Sequence, residues 1–256
     1  MPPVPVAVPP SAVRLRLDSG RVDAALGGGL VLAGCHEIYG AGATALALML
    51  ALAAPRAGPI LWLAGSWDDD GGLYGAGLAE LGGDPGRLWL VAAGGVVPML
   101  RAAGEAQRCG ALACVVIEAG NAAAVDLTVT RRLQLAAAAS GVFTLLLRTG
   151  VARPSAALTR WQACAAPARR LAAGAPGPPR LALTLERQRG GPADISLALE
   201  WDRDRCSFTP AEARASPATP IGAAFARRLA IGAPHPGARP AVVAGGAAGR
   251  SRRSAA

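Results

Sequence analysis

The chain has 256 residues, a formal net charge of +9, and no lysine at all: its 26 basic residues are all arginine. Apolar residues make up 52% but aromatics only 4%, so the core is built from small side chains and its elements must approach closely to bury enough area. No stretch of 18 residues is apolar and free of Gly, Pro and charge, and the first ten residues lack the basic start and apolar centre of a secretory signal. The expected location is cytoplasmic.

Residues 1–13 form a Pro/Val-rich leader predicted to be disordered. Short apolar runs and helical stretches then alternate. LAGCHEIY (32–39) predicts a strand and ATALALMLALAA (43–54) a helix ended by Pro55 and Gly58. PILWLAG (59–65) is a second strand, GLYGAGLAELGG (72–83) a helix, and RLWLVAA (87–93) a third strand. VPMLRAAGEAQRCG (97–110) is a helix and ALACVVIE (111–118) the fourth strand. DLTVTRRLQLAAAASG (126–141) is a helix with Asp126 as N-cap and Gly141 at its C-terminal end, and VFTLLLR (142–148) is the fifth strand. Buried strands joined by single helices predict right-handed crossovers and a mainly parallel sheet flanked by helices on both faces.

The rhythm changes after 150. ALTRWQACAA (157–166), RLALTLERQRG (180–190), ADISLALEWD (193–202) and RCSFTP (205–210) predict strands with no helix between them, an antiparallel C-terminal extension of the sheet. The domain is expected to span 14–209. Residues 210–256 are a Pro/Ala/Gly/Arg-rich basic tail, predicted disordered, in which only 221–232 could form a short helix. Charge divides unevenly: residues 1–150 hold 10 Arg against 11 acidic residues, and 151–256 hold 16 Arg against 6. The basic half could touch phosphate backbones or acidic partners, although arginine-for-lysine replacement in a GC-rich genome produces the same balance. Cys35, Cys109, Cys114, Cys164 and Cys206 are scattered without a C-x-x-C pair, so reduced, mostly buried thiols and no metal site are expected.

EIYGAGATALALML (37–50) has the outline of a phosphate-binding turn: a strand end, Gly40 and Gly42, then a helix with Thr44 in its first turn. Such a loop works through a nest of backbone amides, a lysine on the β/γ-phosphates and a hydroxyl on magnesium. Here Gly40 to Thr44 is too short to wrap a β-phosphate, and no lysine exists. No cofactor and no catalytic residue are therefore expected, and the loop is degenerate.

LDSGRVDAALGGGLVLAGCHEIYG (17–40) is similar to the segment that leads into the phosphate loop of RecA-type recombinases, with Asp23, Ala25, Leu26, Gly27, Gly34, Glu37, Ile38, Tyr39 and Gly40 on the pattern. LYGAGLAELGGDPGRLWLV (73–91) and QRCGALACVVIE (107–118) resemble the next two strand–helix units, which puts Glu118 where RecA-type ATPases end a strand with a magnesium-associated aspartate. The glutamate that activates water in those enzymes has no counterpart; AGSWDDDGG (64–72) offers only Asp68, Asp69 and Asp70. Within that superfamily LTVTRRLQLAAAASGV (127–142), SAALTRW (155–161), GGDPGRLWLV (82–91) and HEI (36–38) resemble the ImuA-type accessory proteins of bacterial SOS mutagenesis cassettes, over about 20–205.

That resemblance implies a RecA-like α/β fold and a non-catalytic adaptor. Its implied partners are a Y-family polymerase-like protein and an error-prone C-family polymerase, with RecA itself as a further partner. Arg131 and Arg132, about 100° apart on their helix beside a Leu133/Leu135 packing face, and Arg160 with Trp161 are the candidate partner-binding residues. His36 is read as a core histidine or as lining the emptied pocket. The compact loop after Ile38 and the short connection 149–156 depart from a recombinase, which keeps a long DNA-contacting loop there. Competing readings are a residual ATPase using Glu118 and an aspartate of 68–70, DNA binding through the basic half, and a SulA-like division inhibitor.

Overall fold

The computed structural model describes residues 12–66, 73–150, 153–172 and 175–211. Most of the predicted leader, Asp68–Asp70 and nearly all of the tail lie outside the described residues. The chain divides into two compact units, 1–215 and 216–256, and every described residue belongs to the first.

A two-stranded antiparallel ribbon, β1 (Arg14–Leu15) with β2 (Leu30–Val31), flanks the short helix α1 (Gly20–Ala25). Then follow β3 (Cys35–Tyr39), α2 (Ala43–Ala53), β4 (Ile60–Ala64), α3 (Gly75–Glu80), β5 (Leu88–Ala92), α4 (Val96–Ala106), β6 (Cys114–Gly120), α5 (Leu127–Ser140) and β7 (Phe143–Arg148). The chain closes with β8 (Thr159–Ala166), β9 (Arg180–Gln188), β10 (Ile195–Asp202) and β11 (Ser207–Pro210). Strands β3 to β11 form one nine-stranded sheet in the order β11-β10-β9-β8-β3-β7-β6-β4-β5. The six strands from β8 to β5 are mutually parallel, and β9, β10 and β11 add antiparallel.

α2 holds one face. Eight of its eleven residues are buried, among them Leu46, Met49, Leu50 and Leu52, because a helix apolar all round has no solvent side to offer. It packs with Ile38, Trp62, Val116, Leu145 and Trp161 from the sheet and with Leu15, Leu17 and Leu30 from the N-terminal ribbon. α4 and α5 cover the other face of β3, β4, β6 and β7 through Met99, Ala103, Leu133 and Ala137. Buried polar groups stitch this layer: Gln107 Nε2 donates to Leu133 O and to Thr144 Oγ1, both at 2.9 Å, and the Cys35 amide donates to Gln134 Oε1 at 2.8 Å. α5 starts and stops as its sequence predicts. Asp126 Oδ1 accepts from the Val129 amide at 2.8 Å, and Gly141 takes the left-handed φ of 74° that ends the helix.

The structure changes several expectations. The third predicted strand, β5, is not buried: among the described residues it is the sheet edge, with Trp89, Leu90 and Val91 exposed and no strand paired beyond it. Leu133 and Leu135 do not share a packing face; two positions apart on a helix they diverge, and only Leu133 points inward. Of the five thiols, all free, only Cys35 and Cys114 are buried, and Cys109 is exposed.

Two stability measurements follow. Leu50→Ala should lower the unfolding free energy by about 2–5 kcal/mol in chemical denaturation, because its site is enclosed on all sides. Asp126→Ala should cost about 1 kcal/mol through loss of the cap, with no change in the denaturant slope.

Candidate functional site

The turn after β3 is where the sequence points to a lost phosphate site, and its geometry follows from the neighbouring strand. β8 pairs parallel with β3 in the register His36↔Thr159 to Tyr39↔Gln162, then runs on to Ala166 after β3 has ended. The turn therefore lies against the backbone of Ala163 and Cys164. Gly42 donates its amide to Ala163 O at 2.9 Å, and Ala43 donates to Gly40 O at 3.0 Å. In a phosphate nest these amides point outward at the anion; here both are used within the protein. Gly40 has φ 101°, and a Cβ there would run into Ala163 O, while one on Gly42 would meet Ala163 and Cys164 at 3.2 Å. The glycines are needed for close approach of two backbones. Thr44 is exposed in the first turn of α2.

Glu118 stands near the end of β6, and its Oε2 accepts the Trp62 indole N–H at 3.0 Å. Trp62 is fully buried in the α2 layer, so the carboxylate serves to satisfy an indole that would otherwise lose its hydrogen bond in the core. Among the described residues no group of three His, Cys, Asp or Glu side chains converges.

On the opposite face of β3 a charged cluster fills the carboxyl ends of the central strands. Glu37 is buried and its Oε2 lies 3.3 Å from Arg160 Nη2, the two side chains being 3% and 12% exposed. Arg160 also donates to Arg153 O, Arg148 Nη1 to Val125 O at 2.8 Å, and Arg187 Nη2 to Ala157 O at 2.9 Å. Burial lowers the pKa of Arg148, and Glu37 pulls it back; burial and then Arg160 lower that of Arg187, again opposed by Glu37. Tyr39 Oη donates to Glu186, and burial followed by that carboxylate raises the phenol. Glu37 thus pairs with Arg160, Arg160 and Arg187 hold the carbonyls of Arg153 and Ala157 ahead of β8, and Arg148 holds that of Val125 ahead of α5. Sequence reading passed over Arg148, Arg153 and Arg187. The signal was there: a glutamate inside an apolar strand and an arginine closing another each require a partner of opposite charge.

His36 is a core residue. Its Nε2 is 2.8 Å from Val31 O and its Nδ1 2.7 Å from Thr159 Oγ1, which also accepts from Trp161 Nε1 at 2.8 Å. The carbonyl requires a proton on Nε2, so Nδ1 accepts from the threonine, and the imidazole is neutral. Burial lowers its pKa to about 4. His36 also borders a cavity of about 420 Å³ with Arg14, Gly27, Gly29 and Gln188, at the amino end of β3 and away from the turn at 40–42.

The candidate partner residues separate. Arg131 and Arg132 are both exposed on α5, and Leu127 and Leu135 are exposed with them. Leu127, Arg131 and Leu135 recur every four residues and make one outward stripe. Trp161 is 1% exposed and belongs to the core, because its side of β8 faces α2; it is not a partner contact. Arg160 is engaged with Glu37.

Comparison with known proteins agrees with this geometry. Protein ImuA of Caulobacter vibrioides, strain NA1000 / CB15N, is 34% identical, the match covering 64% of this chain and 74% of that protein. Protein ImuA of a second strain, ATCC 19089 / CIP 103742 / CB 15, matches to the same extent. The chain belongs to the ImuA family. No family model matches it. The crystal structure of the RadB recombinase superimposes with a TM-score of 0.55 at 16% identity, covering 77% of this chain and all of that one, so this ImuA-family chain has a RecA-like fold. No helix among its described residues is long and apolar enough to cross a membrane.

Three outcomes test the site. Gly40→Ala should destabilise the domain by at least about 2 kcal/mol in denaturant titration, from the positive φ and the contact with Ala163. Glu37→Ala should cost about 3–5 kcal/mol, because buried guanidinium groups lose their counter-charge. His36 stays neutral when folded to about pH 4, whereas the unfolded chain takes up its proton near pH 6.5. Stability is therefore complete above pH 6.5 and falls as pH drops toward 4, by roughly 3 kcal/mol from this group. His36→Gln should flatten that part of the pH–stability curve relative to the parent.

Proposed function

We propose that this chain is a non-catalytic accessory protein of SOS-induced, error-prone translesion synthesis, acting through contacts with a Y-family polymerase-like partner and with the RecA recombinase. One observation carries the non-catalytic part: the amide of Gly42 is spent on Ala163 O. ATP binding at this turn would require β8 to be peeled from it, and there is no lysine to repay the lost hydrogen bond. Glu118 is engaged through Oε2 with the Trp62 indole. Membership of the ImuA family supports the mutagenesis setting.

The contact surface is assigned to the outer stripe of α5. Leu127 and Leu135 are exposed apolar residues flanking Arg131, a combination of apolar anchors and arginine that suits a protein partner. Arg160 and Trp161 act behind the surface, holding β8 in place.

Two measurements test the reading. A labelled ATP analogue should bind no tighter than millimolar in equilibrium titration, and Glu118→Ala should leave that unchanged; micromolar, Glu118-dependent binding would sink the non-catalytic assignment. Pull-down from a DNA-damaged lysate should recover the polymerase-like partner, and Arg131→Glu with Leu135→Lys should weaken its capture by about tenfold or more. Recovery of neither polymerase nor recombinase by the parent chain would overturn the adaptor reading.

A further inference from the structure

A cavity of about 420 Å³ opens where the N-terminal ribbon faces the hairpin between β9 and β10, at the amino end of β3. Open α/β sheets receive ligands at the carboxyl ends of their strands, so this cavity is separate from the turn at 40–42 and from Glu118. One wall comes from α1 and the glycines after it, the other from residues 188–192. Glycine keeps both walls open at the mouth. Gly27 (φ 66°) and Gly190 (φ 74°) hold left-handed backbone, and a Cβ on Gly190 would meet nothing within 4 Å.

The lining changes character with depth. Leu26, Leu30, Val31 and Leu158 are buried and apolar. His36 and Thr159, buried beside them, spend their polar side-chain atoms on each other, on Val31 O and on the Trp161 indole. The inner end therefore offers neither a charge nor a free hydrogen bond. The rim is different. Arg189 is exposed at the start of the hairpin, and Arg14 is half-buried in the ribbon. Arg14 Nη1 donates to Leu26 O at 2.9 Å and to Gly29 O at 3.2 Å, which spends one nitrogen of the guanidinium on the ribbon. Neither arginine pairs with a carboxylate among the described residues, and none of the described lining residues is acidic. Guanidinium groups above an apolar floor select an anionic head joined to an apolar body, because their forked donors match a carboxylate or a phosphate.

We infer that this cavity binds a small amphipathic anion, with Arg14 and Arg189 on its carboxylate or phosphate head and Leu30 and Leu158 against its apolar body. The volume lies in the range of small-molecule pockets. The two walls are joined by Gln188 Nε2, which donates to Ala25 O at 3.2 Å across 163 positions of sequence. A head held by both arginines ties the walls a second time, so the bound chain also melts at a higher temperature.

Titration of the full ¹⁵N-labelled chain with phenylacetate and with phenyl phosphate at low salt tests this, read from amide shifts in proton–nitrogen correlation spectra. At least one probe should give saturable shifts at Gly27, Gly29, Gly190 and Gly191 at millimolar concentration or below. Which of the two binds better separates a carboxylate ligand from a phosphate ligand. Phenylacetamide keeps the ring without the charge, and acetate and inorganic phosphate keep the charge without the ring; each should bind about tenfold more weakly or worse. Arg189→Glu reverses a rim charge and Ala24→Trp fills the mouth, both at exposed positions, and circular dichroism checks that each variant folds. Each should weaken binding by about tenfold or more, whereas Arg101→Glu, exposed on α4 outside the cavity, should change it by less than about twofold. The absence of saturable shifts with both probes overturns the proposal. So does phenylacetamide, acetate or inorganic phosphate binding as tightly as the better probe, or binding that survives both Arg189→Glu and Ala24→Trp. Shifts centred on β5 or α5 also overturn it, and place the probe on an exposed apolar surface instead.

Discussion

The placement of β8 beside β3 decides most of what this molecule can do. A strand that is parallel to β3, and longer than it at the carboxyl end, has unpaired carbonyls exposed just where the following turn must pass. The turn satisfies one of them with the Gly42 amide. That hydrogen bond occupies the Gly42 amide, and glycine at 40 and 42 is what lets the two backbones come so close. The outline of a nucleotide loop is kept for a mechanical reason, the close approach of two backbones.

The same strand organises the opposite face. Arg160 follows the Thr159 that binds His36 and Trp161, and it projects to the other side, where it meets Glu37. Through Arg148, Arg153 and Arg187 the cluster reaches β7, the 149–158 connection and β9. The short connection is therefore pinned by guanidinium groups at its backbone. Two of its carbonyls, those of Arg153 and Ala157, accept from Arg160 and Arg187.

What remains for function is surface. The outward stripe of α5 and the open edge of β5 lie on elements that the sheet holds rigidly, and neither is needed by the core. A RecA-like body that presents such surfaces suits the proposed adaptor role.

The order and type of the elements were legible in the sequence, because apolar periodicity, Asp126, Gly141 and the Gly/Pro turns act locally. The missing lysine was legible for the same reason: an absent residue type needs no geometry. The switch from helix-linked to meandering strands after 150 also gave away the antiparallel β9, β10 and β11, but not that 157–166, expected in the same antiparallel extension, pairs parallel with β3 as β8. What the sequence left open depended on which strand came to lie beside which. Arg160 and Trp161 read as a strand pair with the indole under the sheet, and β8 does turn Trp161 into the α2 layer while Arg160 meets Glu37; β5 reads as buried but is the sheet edge among the described residues; Arg148 and Arg187 have no role legible in the sequence, whereas in the fold both feel the charge of Glu37. Local pattern determined the order of an α/β chain, and its motifs carried the RecA-like resemblance that the fold bears out. Only the tertiary structure decided where its charges are spent and which apolar residues face outward, because burial and ion pairing arise from strand order, and strand order is set by pairings between residues far apart in the chain, for β3 with β7 and β8 more than a hundred positions.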